Sequence, residues 1–502
     1  MPTDKSPTPR MARILLAATI LGSSMAFLDG TVVNLALPTL QREYGANLSV
    51  VQWVVEAYAL TLASLLLVGG SLGDRYGRKM IYVCGILLFT ASSITCGLSP
   101  NTELLIAARA FQGAGAALLV PGSLALITAV FPEGERGRAI GTWSGFSAIT
   151  TAVGPVAGGW LIEHFSWRWV FFLNLPLALI VVVLCTFVPE VRDEDSGSRL
   201  DWLGAAFTIV GLACLTYALI EWPSVNRHTS LTLVAFAGLL ALVAVGIVEQ
   251  RAESPMIPFS LFRSHDFTGA NFITFLVYAP LAALLFFFPL DLIQIQHYSV
   301  TKAGASFSPF VMIMLVLSRW AGRLVERYGA RLPLTVGPLI TAVGYAVFAL
   351  APQDGHYWKS FCPAVLITSL GMTITVAPLT TTVMNAVPES HAGVASGINN
   401  AVSRLASLIA VASFGALLVV IFTHALDYRL ALLNLSSEEA AQIHANRLQL
   451  AAIKVQDTRA VHAITESFIQ AYRSVLWIAA CSVLAGAFAG WFLIKPRRVE
   501  SN

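Results

Sequence analysis

The sequence predicts an all-α membrane protein of fourteen transmembrane helices: two six-helix bundles of like design with two further helices inserted between them. Three observations carry this. The 502 residues are 56 % hydrophobic and 12 % charged, with a mean hydropathy of +0.72, whereas soluble chains carry about 25 % charge. Fourteen apolar runs reach the roughly 20 residues that a bilayer-crossing helix needs. One loop sequence also occurs twice, 252 residues apart. This composition excludes a disordered or coiled-coil chain and argues against a water-soluble multidomain enzyme. The net charge of +3 is too small to point to nucleic acid.

The runs fall at 13–38, 51–72, 79–98, 103–127, 139–162, 168–188, 201–221, 230–249, 267–290, 304–322, 333–351, 361–384, 394–421 and 472–494. In hydrocarbon each must pair its own backbone groups, so each is expected to be a helix. The first is long enough to span and lacks a clear cleavage site, so no cleavable signal peptide is expected. Orientation follows from Lys and Arg. An inside N-terminus puts eighteen of them on the cytoplasmic side, against five in the short outer loops: Arg42, Arg168, Arg227, Lys302 and Lys359. Both termini are therefore expected in the cytoplasm, with tails at 1–12 and 495–502. The bundles are expected at 13–188 and 267–494, and the inserted pair at 201–249. The largest outer loop is expected at 422–471, with two short amphipathic helices near 437–453 and 458–471. Ser436 and Glu439 there have capping-box spacing. The six cysteines all lie in apolar runs without metal-ligand spacing, and are expected to be small buried hydrophobes.

The repeated loop reads Gly70-Ser-Leu-Gly73-Asp74-Arg75-Tyr76-Gly77-Arg78-Lys79 between runs 2 and 3. It returns as Gly322-Arg-Leu-Val-Glu326-Arg327-Tyr328-Gly329-Ala330-Arg331 between runs 10 and 11. Eight spans separate the copies. A six-span unit therefore requires two extra spans between the halves, naturally runs 7 and 8. Parallel repeats of this kind are a transporter design. Positive charge alone would orient the loop, but the acid and the glycines are superfluous to that task. A gating loop made of Gly70, Asp74, Arg75, Gly77, Arg78, Glu326, Arg327 and Gly329 is therefore favoured over a purely topogenic one.

These residues resemble the major facilitator superfamily, and within it the fourteen-span drug:proton antiporters. Gly70–Lys79 is similar to the superfamily signature between spans 2 and 3. Leu28-Asp29-Gly-Thr-Val-Val-Asn34-Leu-Ala-Leu-Pro38 resembles the first-span motif of the fourteen-span family, and Arg109-Ala-Phe-Gln112-Gly-Ala-Gly115 the fourth-span motif. Gly154-Pro155-Val-Ala-Gly158-Gly159 resembles the antiporter motif of span 5, and Trp167–Pro176 also fits. Thr150 stands where that antiporter motif usually has a further glycine. The resemblance implies proton-coupled transport, with the Asp29 and Arg109 positions belonging to the coupling. It leaves the substrate open.

Charges inside the runs point the same way, since a charge at the bilayer centre costs at least about 2.5–3.5 kcal/mol and needs a partner. Asp29 lies sixteen residues into the first, outward run, about 24 Å from its start. Glu56 and Arg109 lie about 8 and 9 Å from the outer ends of their inward runs. All three share a depth in one half, and a carboxylate there could exchange a proton against a cation. Asp29 could instead cap an interrupted first helix, Glu56 could snorkel to the surface, and Arg109 could form a static ion pair. Candidate cavity residues are Glu56, Asn34, Gln112, Asn400 and Arg404, the last two one turn apart on run 13. Asp291, at the outer end of run 9, is expected to be solvated. The threonines of run 12 are expected to bond back to their own helix.

No Gly-Lys pair exists, hence no Walker loop. The histidines form no metal pattern, and no Gly-x-Ser-x-Gly is present. The sequence thus predicts a non-enzymatic transporter without cofactor, driven by the proton gradient, in the bacterial cytoplasmic (inner) membrane. It would export amphipathic small molecules by alternating access, with lipid as its surroundings, no nucleic acid, and any envelope partner undetermined. Two rivals are an exporter of one metabolite or organic anion using Arg404, and a transport-inactive sensor on the same fold.

Overall fold

The computed structural model describes residues 9–190, 202–224, 228–251, 259–352, 356–388, 392–433 and 435–496. Fourteen helices among them are long and apolar enough to cross a membrane. They are α1 (Pro9–Tyr44), α2 (Leu48–Tyr76), α3 (Arg78–Leu98), α4 (Thr102–Val130), α5 (Glu133–His164), α6 (Arg168–Cys185), α7 (Trp202–Glu221) and α8 (His228–Arg251). After them come α9 (His265–Leu290), α10 (Ser308–Tyr328), α11 (Arg331–Leu350), α12 (Cys362–Asn385), α13 (Ala392–Ala431) and α14 (Thr458–Leu493). The described residues contain no strand. Large apolar side chains such as Phe111, Leu179, Phe236 and Val316 are exposed on the helices, which suits a chain whose solvent is lipid rather than water.

Local chemistry sets the helix ends. Asn101 accepts the Leu104 N–H at 2.9 Å and starts α4. Ser264 caps α9, and Asp457 caps α14 through the Arg459 N–H at 2.7 Å. The repeated loops end in the same backbone feature. Gly77 has φ +115° and Gly329 φ +76°, a region that side-chain-bearing residues avoid. Each follows an Arg-Tyr pair in which the guanidinium lies 5.5 Å (Arg75 on Tyr76) or 5.2 Å (Arg327 on Tyr328) from the ring centre.

The chain divides into two compact units. One comprises Met1–Ala36, Trp53–Cys214 and Phe236–Met256, the other Leu37–Gln52, Leu215–Ala235 and Ile257–Asn502. In the first, α3 and α4 pack through small residues. A Cβ on Gly115 would stand 2.6 Å from the Phe89 nitrogen, and one on Gly85 2.8 Å from Leu118 Cβ. The second unit repeats this between α11 and α12, where a Cβ on Gly337 would meet Thr375 Oγ1 at 2.4 Å and one on Gly371 would meet Thr341 Oγ1 at 2.3 Å. Small residues let backbones approach where apolar transfer supplies no driving force. Tyr82, Phe89 and Leu119 fill the first core. Phe286, Phe287 and Phe288 are buried in the second, where Phe288 packs edge-on against Phe307, Phe348 and Phe361.

Several expectations are revised. α1 runs unbroken through Asp29, so Asp29 caps no interruption. α13 extends to Ala431 and α14 begins at Thr458. The helix expected near 458–471 is thus the first part of α14, and residues 422–431 continue α13. Between them lie a helix at Ser437–Ala445 and a 3-10 turn at Arg447–Ala452. The capping box is present: Ser436 Oγ accepts the Glu439 N–H at 3.2 Å and lies 3.0 Å from Glu439 Oε2. Cys84 and Cys481 are exposed rather than buried. The α12 threonines bond back as expected, Thr375 to Gly371 O at 2.7 Å for example.

Candidate functional site

The first unit holds a buried charge pair. Asp29 of α1 and Arg109 of α4 are 2 % and 1 % exposed, and Arg109 Nη1 is ion-paired with Asp29 Oδ2. Gln112, one turn along α4, bridges both partners. Its Oε1 accepts from Arg109 Nη1 at 2.7 Å, and its Nε2 donates to Asp29 Oδ1 at 2.8 Å. Arg109 Nε donates to the Val54 carbonyl of α2 at 2.9 Å. The guanidinium also sits 4.4 Å from the Tyr58 ring centre, a favourable place for a cation. Three helices thus meet at one side chain.

A second layer holds Gln112 in place. Ser93 of α3 accepts from Gln112 Nε2 at 3.3 Å and from Asn174 Nδ2 at 3.0 Å, and donates to the Phe171 carbonyl at 2.8 Å. Cys96 Sγ lies 3.7 Å from Gln112 Oε1. Removing one member of a buried ion pair costs about 3–5 kcal/mol because the other is left uncompensated. Helix crossings with this much polar connection are set in position rather than loosely greased.

Glu56 belongs to the same unit and is 1 % exposed, so it does not snorkel. Its Oε2 has no hydrogen-bond partner, and it is not joined to Asp29 or Arg109 by a hydrogen bond. The expected three-residue site is therefore a pair plus a separate buried acid. Asn34 is half-buried with its Oδ1 unpartnered.

The Gly154–Gly159 motif presses α5 onto α1 beside Asp29, against Leu28 and Val32. A Cβ on Gly158 would lie 1.9 Å from Val32 Cγ1, and one on Gly154 2.9 Å from Leu28 Cδ2. Gly159 is buried as well. Thr150, where the motif's further glycine is missing, instead exchanges a hydrogen bond with Ser24 of α1 at 3.0 Å. Trp143 of α5 donates to Ser23 of α1 at 3.1 Å.

At the loop after α2, Arg78 Nη1 reaches the Ala125 carbonyl at 3.3 Å. The Lys79 and Met80 N–H groups donate to Glu190 at 3.0 and 3.1 Å, and Lys79 Nζ to the Val188 carbonyl at 2.8 Å. Gly70 leaves open space where a Cβ would stand. The side chains of Asp74 and Glu326 lie outside the described residues. In the second unit Asn399 of α13 donates to Asn271 Oδ1 at 3.1 Å and to Thr274 Oγ1 at 2.6 Å. Asn400 is exposed and bonds back to Ser396 O at 3.1 Å. Arg404 is half-buried. Asp291 is fully buried, against expectation.

Sequence reasoning missed Ser93, Asn174, Tyr58 and the Val54 carbonyl. Ser93 and Asn174 are polar groups in apolar runs, which is a signal, but nothing in their spacing joins them to Gln112.

The comparisons with known proteins agree with this architecture. The chain is 32 % identical to the multidrug resistance protein Stp of Mycobacterium tuberculosis (strain CDC 1551 / Oshkosh), over 96 % of this chain and 92 % of that one. It is 35 % identical to the puromycin resistance protein pur8 of Streptomyces alboniger, over 80 % and 79 %. In structure it is similar to a bacterial homologue of the human lysosomal transporter Spinster, solved inward-facing and unoccupied. That match has a TM-score of 0.65 at 16 % identity and covers 97 % of this chain and 99 % of that one. A D-xylose–proton symporter gives a TM-score of 0.61 at 14 % identity, over 98 % and 99 %. The Major Facilitator Superfamily profile matches residues 19–411. With fourteen membrane-length helices and this family match, the chain is a multi-pass membrane transporter of small molecules and belongs to the Major Facilitator Superfamily.

Proposed function

We propose that this transporter exports amphipathic small molecules, toxic drugs among them, from the bacterial cytoplasm in exchange for protons, with both termini in the cytoplasm and no cofactor. The observation that carries the reading is the buried Asp29–Arg109 pair bridged by Gln112. A carboxylate so placed is stable while Arg109 faces it. A proton on Asp29 removes the attraction and frees Arg109 to repack, which alters how α1, α2 and α4 are joined. Glu56, buried without a partner for Oε2, supplies a negative site for a cationic cargo or a second proton. The relatives named for resistance to several drugs, to methylenomycin and to puromycin support drugs as cargo. The tight α1–α5 contact at Gly158 supports a rigid bundle that rocks as one body.

The test is reconstitution into liposomes with an imposed pH gradient and no ATP. Ethidium, and in parallel a fluorescent organic anion, is followed across the membrane. Gradient-driven ethidium movement that a protonophore abolishes supports the reading. Movement of the anion alone favours the metabolite exporter, and transport indifferent to the gradient overturns proton coupling.

A further inference from the structure

The second unit contains a buried carboxylate that the reading above does not use. Asp291 is 0 % exposed, and neither of its carboxylate oxygens has a hydrogen-bond partner. It stands where α9 changes character. Residues Asp291–Ile295 form a π-helical turn, in which the Gln296 N–H reaches back five residues to the Asp291 carbonyl at 3.1 Å. Such turns are uncommon and collect at functional sites. Two residues later His297 takes φ +56°, a second departure from regular backbone.

The surroundings are polar and equally underused. The Tyr345 hydroxyl of α11, the Tyr472 hydroxyl of α14 and Arg473 Nε are all buried without partners. Tyr472 and Arg473 are neighbours on α14, which packs against both α9 and α11. Arg473 is occupied elsewhere: its Nη2 donates at 3.0 Å to the carbonyl of Ala351, which ends α11. Of the other elements packed on the π-turn, the short helix Val300–Ala305 brings Lys302, which is exposed, and the 3-10 turn Arg447–Ala452 brings Arg447, which is half-buried. The Gln294 amide, on the turn itself, bonds Gln41 Oε1 at 2.7 Å. An ionised carboxylate with no donor is among the costliest groups to bury. The uncharged acid is far cheaper, and its hydroxyl can donate to a neighbouring tyrosine oxygen.

We propose that Asp291 is a second proton-binding carboxylate, proper to the C-terminal unit, and that Arg473 is the counter-charge that pairs with it once the proton leaves. In the protonated form Arg473 stays on the end of α11. In the ionised form it turns to Asp291 and releases the Ala351 carbonyl, so the proton decides whether α14 holds α11 or the end of α9. Use of this site in transport rests on the proton-coupled reading above, whereas the proton binding itself does not.

The test is infrared spectroscopy of the purified full-length protein in liposomes, comparing acid with alkaline buffer without any cargo. The wild type is expected to show a carboxylic-acid carbonyl band that disappears as pH rises. Asp291→Asn removes that component, and Asp29→Asn leaves it in place. Arg473→Gln moves its midpoint up by about 1 pH unit or more, because loss of a nearby cation favours the protonated acid. If Asp291→Asn does not fold, Asp291→Glu keeps a carboxyl there and displaces the band. A band unaltered by substitution at Asp291, or a midpoint indifferent to Arg473→Gln, overturns the proposal. A titrating Asp291 in a protein that moves ethidium without protons would instead remove the antiport reading and leave this one standing.

Discussion

Gly158 of α5 and Val32 of α1 touch so closely that a single added methyl has nowhere to go: it would stand 1.9 Å from Val32 Cγ1 and 2.9 Å from Val32 Cβ. Valine is stiff at χ1, so it cannot swing aside. Gly158→Ala is therefore expected to lower stability by about 1–3 kcal/mol, read as a lower unfolding temperature in detergent. Val32→Ala in the same protein should recover much of the loss. Equal destabilisation with and without the second change would show that the contact is not what limits packing there.

Asp29→Asn keeps an oxygen for Gln112 to bond but removes the charge that Arg109 faces. The protein should still reach the membrane, while ethidium efflux driven by a pH gradient falls to the level of empty liposomes. Wild-type coupled efflux by this variant would refute the role given to Asp29.

Gln112→Leu takes away the bridge and leaves Arg109 and Asp29 each one hydrogen bond short in a buried site. A loss of about 1–3 kcal/mol follows from unsatisfied buried groups. Gln112→Glu is expected to be worse for transport, since a second buried acid competes with Asp29 for the same guanidinium. Chemical denaturation and the liposome assay together separate these effects.

Gly77→Ala and Gly329→Ala each force a side chain into positive-φ backbone. Each should cost about 1–2 kcal/mol. If the two loops work as gates, transport should fall further than the stability loss accounts for. Retained transport in both variants would reduce the loops to orienting signals.

Asp457 offers a pH test outside the spans. The Arg459 side chain and backbone N–H bond its carboxylate, at 2.7 Å for the nearest of each, and hold its pKa below the ordinary carboxylate value. A depressed folded-state pKa means the cap's contribution is complete above the unfolded value and lost only as pH falls through the folded one. Hydrogen-exchange protection at Val461, whose N–H bonds the Asp457 carbonyl at 3.0 Å, should hold through mildly acid pH and drop only in stronger acid. Asp457→Asn should remove the acid dependence.

Much of this molecule is legible in its sequence because lipid leaves the chain few choices. Apolar runs of sufficient length become helices, and all fourteen do. Asp29 and Arg109 are legible as a pair because charges in hydrocarbon must find one another. Asp291 was not legible. It ends an apolar run, where an acid ordinarily meets water, yet it is 0 % exposed, and the 3-10 turn Arg447–Ala452 that packs on its π-turn lies more than 150 residues later in the chain. Glu56 shares its depth with Asp29 and Arg109, but depth says nothing of direction around a helix, and its hydrogen bonds do not join theirs. The bounds of the helices near 458–494 are less legible, because the periodicity over 458–471 does not show that it runs without a break into the apolar run at 472–494.

The paired turns at Gly77 and Gly329 have an evolutionary consequence. A positive-φ glycine preceded by the same Arg-Tyr stacking, at equivalent places in both halves, is a fossil of duplication written in backbone torsion as well as in letters. Substitution tolerance mapped across 75–78 should therefore forecast that across 327–330. Where the two profiles part company, at Arg78 against Ala330 above all, the halves have taken on separate duties since they were copies.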